Sequence, residues 1–123
     1  MKEIFTIIRP KKVGQTKDAL EKLGFVGLTA ISVFGRGNQK GIAGELSCDI
    51  RPNVISQSRQ GGMQYIPKRL LSIVVNDIDV DIVVKAIIEI NQTSQIGDGK
   101  IFVCPVDNGI RISTNDEGDK ALL

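Results

Sequence analysis

The chain has 123 residues, 41% of them hydrophobic and 24% charged, the balance of an ordinary globular domain rather than of a disordered or fibrous chain. Its 16 basic and 14 acidic side chains leave a net charge of +2, too weak to predict nucleic-acid binding from bulk charge, so any anion site must come from local arrangement. There is no histidine, and the two cysteines, Cys48 and Cys104, form no C-x-x-C pair, which removes the usual ligands of zinc and the usual general base.

The cysteine usage and the lack of a secretory segment fit a reducing cytoplasm. No apolar run approaches the ~18 residues of a membrane span, so the chain is expected not to be an integral membrane protein. One domain over residues 1–123 is expected.

Lys2 to Ile8 is short, β-branched and apolar, and Pro10 stops it; this is the first strand. Val13, Thr16, Ala19, Leu20 and Leu23 recur at helical spacing, and Gly24 stands where a helix-ending glycine is expected. Val26 to Phe34 reads as a second strand. From Gly35 to Ile66 no period is sustained, and the stretch reads as a long projecting loop, about residues 36–66, with room for a short hairpin.

Pro67 to Val75 is a third strand. Asp77 or Asp79 can cap a second helix ending at Ile90, with an apolar stripe of Val83, Ala86, Ile87 and Ile90. Ile101 to Val106 is a fourth strand, with Cys104 as a core residue. A last extended piece, Gly109 to Ser113, precedes a polar tail over residues 114–123, expected to fray or to swap onto a neighbour. The order is that of an α+β, ferredoxin-like split βαβ fold. A sheet so small leaves one face open, which predicts an oligomer.

Two stretches are dense in glycine and cation, GRGNQKG at 35–41 and GDGK at 97–100. Backbone N–H groups of glycine-bearing turns can converge on an anion, and Lys100 and Arg111 could add full charges. Each stretch taken alone is as well explained by a turn, and neither is a Walker A or Rossmann motif. In a split βαβ fold, however, both can lie at one edge of the sheet, where Lys68 also enters.

The run TSQIGDGKIFV, Thr93 to Val103, closely matches the C-terminal signature of the PII nitrogen-regulatory proteins. The chain resembles that family over nearly all its length: in IIRPKK at 7–12, the helix ending in Gly24-Phe25, GRGNQKG at 35–41, Pro67-Lys68 and IRI at 110–112. The resemblance implies a homotrimer, or a mixed trimer with a second PII-like protein. It also implies that ATP or ADP binds in clefts between subunits, with 2-oxoglutarate bound through Mg-ATP.

By position, Gly97, Asp98, Gly99 and Lys100 would hold phosphates, and Arg111 would reach in from a neighbouring subunit. Ile7, Thr29 and Val74 would contact adenine. Gln39 would be the protein ligand of Mg, the backbone of Gln39, Lys40 and Gly41 would line the 2-oxoglutarate site, and Lys68 would pair with its far carboxylate. Gly35, Arg36, Gly37 and Asn38 complete this cofactor-binding stretch.

The sequence departs from the family pattern in placing Asn38 before the glutamine, with the arginine at Arg36, and in carrying Ser113 two places beyond Arg111. Its long loop, ELSCDIRPNVISQSRQGGMQY, lacks the YRGAEY-like segment, and Tyr65 lies at the loop's return; no uridylylation is expected. Such a loop resembles the nitrogenase-regulating branch of the family, of the second type.

The reading this supports is a non-enzymatic nitrogen-status sensor acting on dinitrogenase. An ammonium transporter or a nitrogen-assimilation enzyme is the alternative target. Arg51, Arg59 and Tyr65 are candidate partner contacts or solubilising groups, and Cys48 reads as an incidental thiol rather than a redox sensor. A small ferredoxin-like enzyme or an RNA binder is disfavoured, since only 4 Phe and 1 Tyr are present and base stacking needs exposed aromatics.

Overall fold

The computed structural model describes residues 1–37 and 65–122. Strand β1 (Lys2–Ile8) is followed by a 3-10 turn, Pro10–Lys12, and helix α1 (Val13–Lys22). Strands β2 (Thr29–Arg36) and β3 (Tyr65–Val75) come next, then a 3-10 turn at Asp77–Asp79, helix α2 (Val80–Asn91) and strand β4 (Lys100–Pro105). The sheet order is β2-β3-β1-β4, every pair antiparallel, with α1 and α2 packed on one face. This is the ferredoxin-like arrangement expected.

The two faces follow from the period of two along each strand. On β1, Ile4, Thr6 and Ile8 are buried while Glu3, Phe5 and Ile7 are half-buried, and on β3 Leu71, Ile73 and Val75 are buried between half-buried neighbours. Ile4 stands opposite Ile73 and Val103, and Ile7 opposite Leu70 and Lys100. The core lies under the helices and is built from Ile4, Leu20, Ile73, Val75, Val83 and Ile87. Its helical members recur at the spacing that puts one stripe against the sheet.

A polar link joins the two helices. Asn91 at the end of α2 donates from Nδ2 to Thr16 Oγ1 at 3.0 Å and to its own helix's Ile87 carbonyl at 2.9 Å. Thr16 in turn donates to the Lys12 carbonyl at 2.8 Å. The amide protons of Asn91 and the hydroxyl of Thr16 are thus satisfied within this layer, while Asn91 Oδ1 is buried without a protein partner.

Several expectations are corrected. β2 starts at Thr29 rather than Val26, because Phe25 N–H and Gly24 N–H still bond the Leu20 and Glu21 carbonyls, with Gly24 at φ +95°, and the turn consumes the residues that follow. The ends of the expected loop belong to the sheet, since Gly35 pairs with Ile66 and Arg36 with Tyr65. Neither Asp77 nor Asp79 makes a side-chain cap; the helix is entered through a 3-10 turn instead. Cys104 is exposed, because it sits opposite Glu3 on the face that the helices leave open.

The last segment is also unlike its expectation. Ile110 makes a single bridge to Glu117 in place of a strand, and Gly118–Leu122 forms a 3-10 turn. Asn108 Oδ1 accepts the N–H of Gly109 at 2.9 Å and of Gly118 at 3.1 Å, and Arg111 N–H donates to the Asp116 carbonyl at 2.9 Å. Through residue 122 the segment is thus folded back on its own chain.

Candidate functional site

Between α2 and β4 the chain turns through residues 92–99. Ser94, Gly97 and Gly99 take φ values of +66°, +102° and +105°, a conformation that favours glycine. A Cβ on Gly99 would also collide with the Ile7 carbonyl, so this loop lies directly against the end of β1. Only hydrogen fits there.

Asp98 braces the loop from within. Its carboxylate accepts the N–H of Thr93 at 2.7 Å and of Ser94 at 2.9 Å, the hydroxyl of Thr93, and Nη1 of Arg9 at 2.6 Å. Partial burial pushes its pKa up, but the bonds from Thr93, Arg9 and Ser94 outweigh that and hold the carboxyl well below the usual carboxylate range. Two scaffold cations also hold successive loop carbonyls: Arg9 Nη2 reaches Ile96 O at 3.0 Å and Lys68 Nζ reaches Gly97 O at 2.9 Å.

Beside this loop opens a cleft of 450 Å³, lined by Ile7, Gly35, Arg36, Gly37, Ile66, Lys68, Ile96, Gly97, Gly99, Lys100 and Phe102. Gly35 to Gly37 of the first glycine stretch, the second stretch and Lys68 therefore do share one cleft, but across an end of the sheet rather than along one edge, since β2 and β4 are its opposite edge strands. The described lining carries three cations and no carboxylate, with glycine backbone on two sides. Such a surface suits a multiply charged anion that carries an apolar body.

Other candidates lie elsewhere. Asp98 belongs to the loop's bracing, its carboxylate spent on Thr93, Ser94 and Arg9. Thr29 and Val74 line a second cleft, of 610 Å³, near the opposite end of the strands. Val74 pairs with Glu3 while Leu70 pairs with Ile7, a separation of roughly 13 Å along β3. Arg111 lies in the folded-back C-terminal segment, 3.7 Å from the Asp116 carboxylate and 3.4 Å from the Ala121 carbonyl.

Tyr65 is exposed, with the Arg36 guanidinium 5.9 Å from its ring centre at the base of the β2–β3 pair. Asn38, Gln39, Lys40, Gly41, Cys48, Arg51 and Arg59 lie outside the described residues. Arg9, Ile66, Ile96 and Phe102 were missed by sequence reasoning. For Arg9 the signal was an arginine placed directly at the end of a buried strand.

One ferredoxin-like sheet with a cationic, glycine-walled cleft at the root of its β2–β3 connection defines the class of domain. The chain belongs to the PII family: the family model described as nitrogen regulatory protein P-II matches residues 1–116. It is similar to the "Nitrogen fixation nifHD1 region GlnB-like protein 2" of Methanosarcina barkeri, with 57% identity over 99% of both chains. From Methanothermobacter marburgensis, the "Nitrogen fixation nifHD region GlnB-like protein 2" is 51% identical over 99% of this chain and all of its own. The "GlnB-like protein 1" of the same organism is 44% identical over 96% of this chain and 99% of its own. Among the described residues no helix is long and apolar enough to cross a membrane.

Proposed function

We propose that this chain is a cytoplasmic nitrogen-status sensor, without enzymatic activity, that binds ATP or ADP and 2-oxoglutarate and regulates dinitrogenase through its long loop. The observation that carries the reading is the cleft, in which Arg36, Lys68 and Lys100 face glycine backbone with no described carboxylate among them. That combination suits phosphates, and Ile7 and Phe102 offer the apolar surface a base requires.

The site is proposed to be completed by a neighbouring copy in a trimer, pure or mixed with a second PII-like protein. Ile7 and the pair Thr29 and Val74 line different clefts of one chain, so a single adenine can meet all three only if two chains contribute. Arg111 would come from that neighbour. Among the described residues no cluster of three acidic or thiol groups could hold a metal. Magnesium would therefore arrive with the nucleotide, held by phosphate oxygens and by Gln39, in keeping with its preference for oxygen ligands and retained phosphates.

Lys68, bonded to Gly97 O, would pair through its ammonium with the far carboxylate of 2-oxoglutarate. The keto acid would thereby act where the chain leaves β2 and returns on β3. For such binding to act on a target it must favour one state of the loop over another, since equal affinity shifts nothing. Dinitrogenase is favoured as that target because the similar proteins are named for the nitrogen-fixation region, and the second type because "protein 2" of M. marburgensis is the more similar of its two.

Calorimetry with Mg-ATP, with and without 2-oxoglutarate, on the wild type and Lys68→Ala tests the site. We expect 2-oxoglutarate binding to require Mg-ATP and to weaken at least tenfold in the variant. Binding that is independent of ATP and unchanged in Lys68→Ala would sink the assignment. Co-purification with dinitrogenase tests the target, and recovery of an ammonium transporter in its place would redirect the reading.

A further inference from the structure

Arg9 is the least exposed arginine of the described chain, with 7% of its surface accessible, and it is not among the described residues that line the cleft. A buried guanidinium is tolerated only where its donors are matched in a good geometry. Here its two terminal nitrogens fork to two points of one loop, Asp98 Oδ1 at 2.6 Å and Ile96 O at 3.0 Å. Arg9 follows β1 directly, so the fork ties the loop to an interior strand of the sheet, which is flanked by β3 and β4.

The consequence reaches the cleft through peptide geometry. In a trans peptide the carbonyl and the N–H point in opposite directions, and no described peptide is cis. Holding Ile96 O by Arg9 and Gly97 O by Lys68 thus fixes which way the N–H groups of Gly97 and Asp98 face. Gly97 and Gly99 are glycines at positive φ, whose own preferences would leave these planes free to turn. Something outside the loop must choose the orientation.

We propose that Arg9 is the positioning residue of this cleft: through Asp98 and the Ile96 carbonyl it sets the loop conformation in which Gly97, Gly99 and Lys100 meet the phosphates of a nucleotide. This rests on the nucleotide reading above. Lysine in its place would keep the charge but lose the planar fork, which is why arginine is required here. Asp98, held ionised by its hydrogen bonds, is the hub through which the constraint spreads to Thr93 and Ser94.

The test is calorimetry of the full chain with Mg-ATP at pH 7 on the wild type, Arg9→Met, Arg9→Lys, Asp98→Asn and the Arg9→Met/Asp98→Asn double variant. Circular dichroism and sedimentation establish that each is folded and associates as the wild type does. Arg9→Met is expected to bind at least tenfold more weakly, Arg9→Lys to fall between it and the wild type, and the double variant to be little worse than Arg9→Met. The amide resonances of Gly97 and Gly99 in unliganded Arg9→Lys should also move, which a role confined to stability would not require.

A folded Arg9→Met with wild-type affinity overturns the inference, and so does a double variant whose loss is the product of the single losses. Where Arg9→Met does not fold, Arg9→Lys decides: a threefold or greater loss supports the role and unchanged affinity overturns it. Failure of the wild type to bind Mg-ATP at all overturns the nucleotide reading, and this role with it. Wild-type binding with no loss in the Arg9 variants overturns this role alone.

Discussion

Asp98 accepts four hydrogen bonds, and each is lost or weakened when a proton occupies the carboxylate. Its folded pKa lies below the ordinary 3.8, so as pH falls the unfolded chain takes up the proton first and stability declines. The contribution is therefore complete above about pH 5 and fades as pH drops below that ordinary value toward the folded one. Asp98→Asn is expected to be less stable at neutral pH by on the order of 2 kcal/mol. Urea unfolding at a series of pH values should find that gap constant above pH ~5 and narrowing below pH ~4.

At this scale the sequence was uneven as a guide. Gly97, Gly99 and Lys100 were legible because glycine beside cation is a local pattern with a direct physical meaning, and Lys68 because it stands where the long loop returns to the sheet. The Arg9 to Asp98 pair spans 89 positions, and no spacing rule links two residues that only the fold brings together. Asp98 was read as part of a phosphate set, and what that reading did not reach is that its carboxylate bonds Thr93, Ser94 and Arg9.

Among the elements, β1 was read with its observed bounds, because an apolar β-branched run closed by Arg-Pro has one interpretation. β3 was begun at Pro67, yet pairing extends back to Tyr65. The proline is admitted because β1 ends opposite Arg69, so beyond that point β3 has a partner on one side only. The GIRIS stretch has a strand's composition, but Asn108 and Gly118 close it into a turn first. Side-chain hydrogen bonds of that kind compete with strand formation and are invisible to periodicity.

The Asn91 link is the element-level counterpart of the Asp98 hub, since it pins the end of α2 to α1 just before the cleft loop begins. Asn91→Leu removes both donors and is expected to cost about 1–3 kcal/mol, read as a lower urea midpoint at an unchanged slope.

For the molecule as a whole, the open face of the sheet is the unfinished surface. Phe5, Ile7, Ile31, Leu70, Val74 and Phe102 lie on it by register, with Ile31 51% and Phe102 46% exposed. Apolar area of this kind marks an interface. Within it Ser72 donates to Glu3 at 2.6 Å, a polar pair that would be enclosed there. Phe102→Glu, which places a charge on the edge strand β4 where this face meets the cleft, is expected to shift sedimentation from the proposed trimer to monomer and to weaken the proposed nucleotide binding at least tenfold. A trimer that survives this change would mean the copies meet elsewhere.

Gly99 bears on more than the shape of the cleft. Ile7 stands opposite Lys100, and the carbonyl of Ile7 occupies the space where a side chain at position 99 would begin. Sliding β4 by one residue would bring Lys100 to that place and turn every β4 side chain to the other face. The glycine thus serves as a stop that admits one alignment of the edge strand, and the alignment it admits is the one that brings the loop onto Arg9.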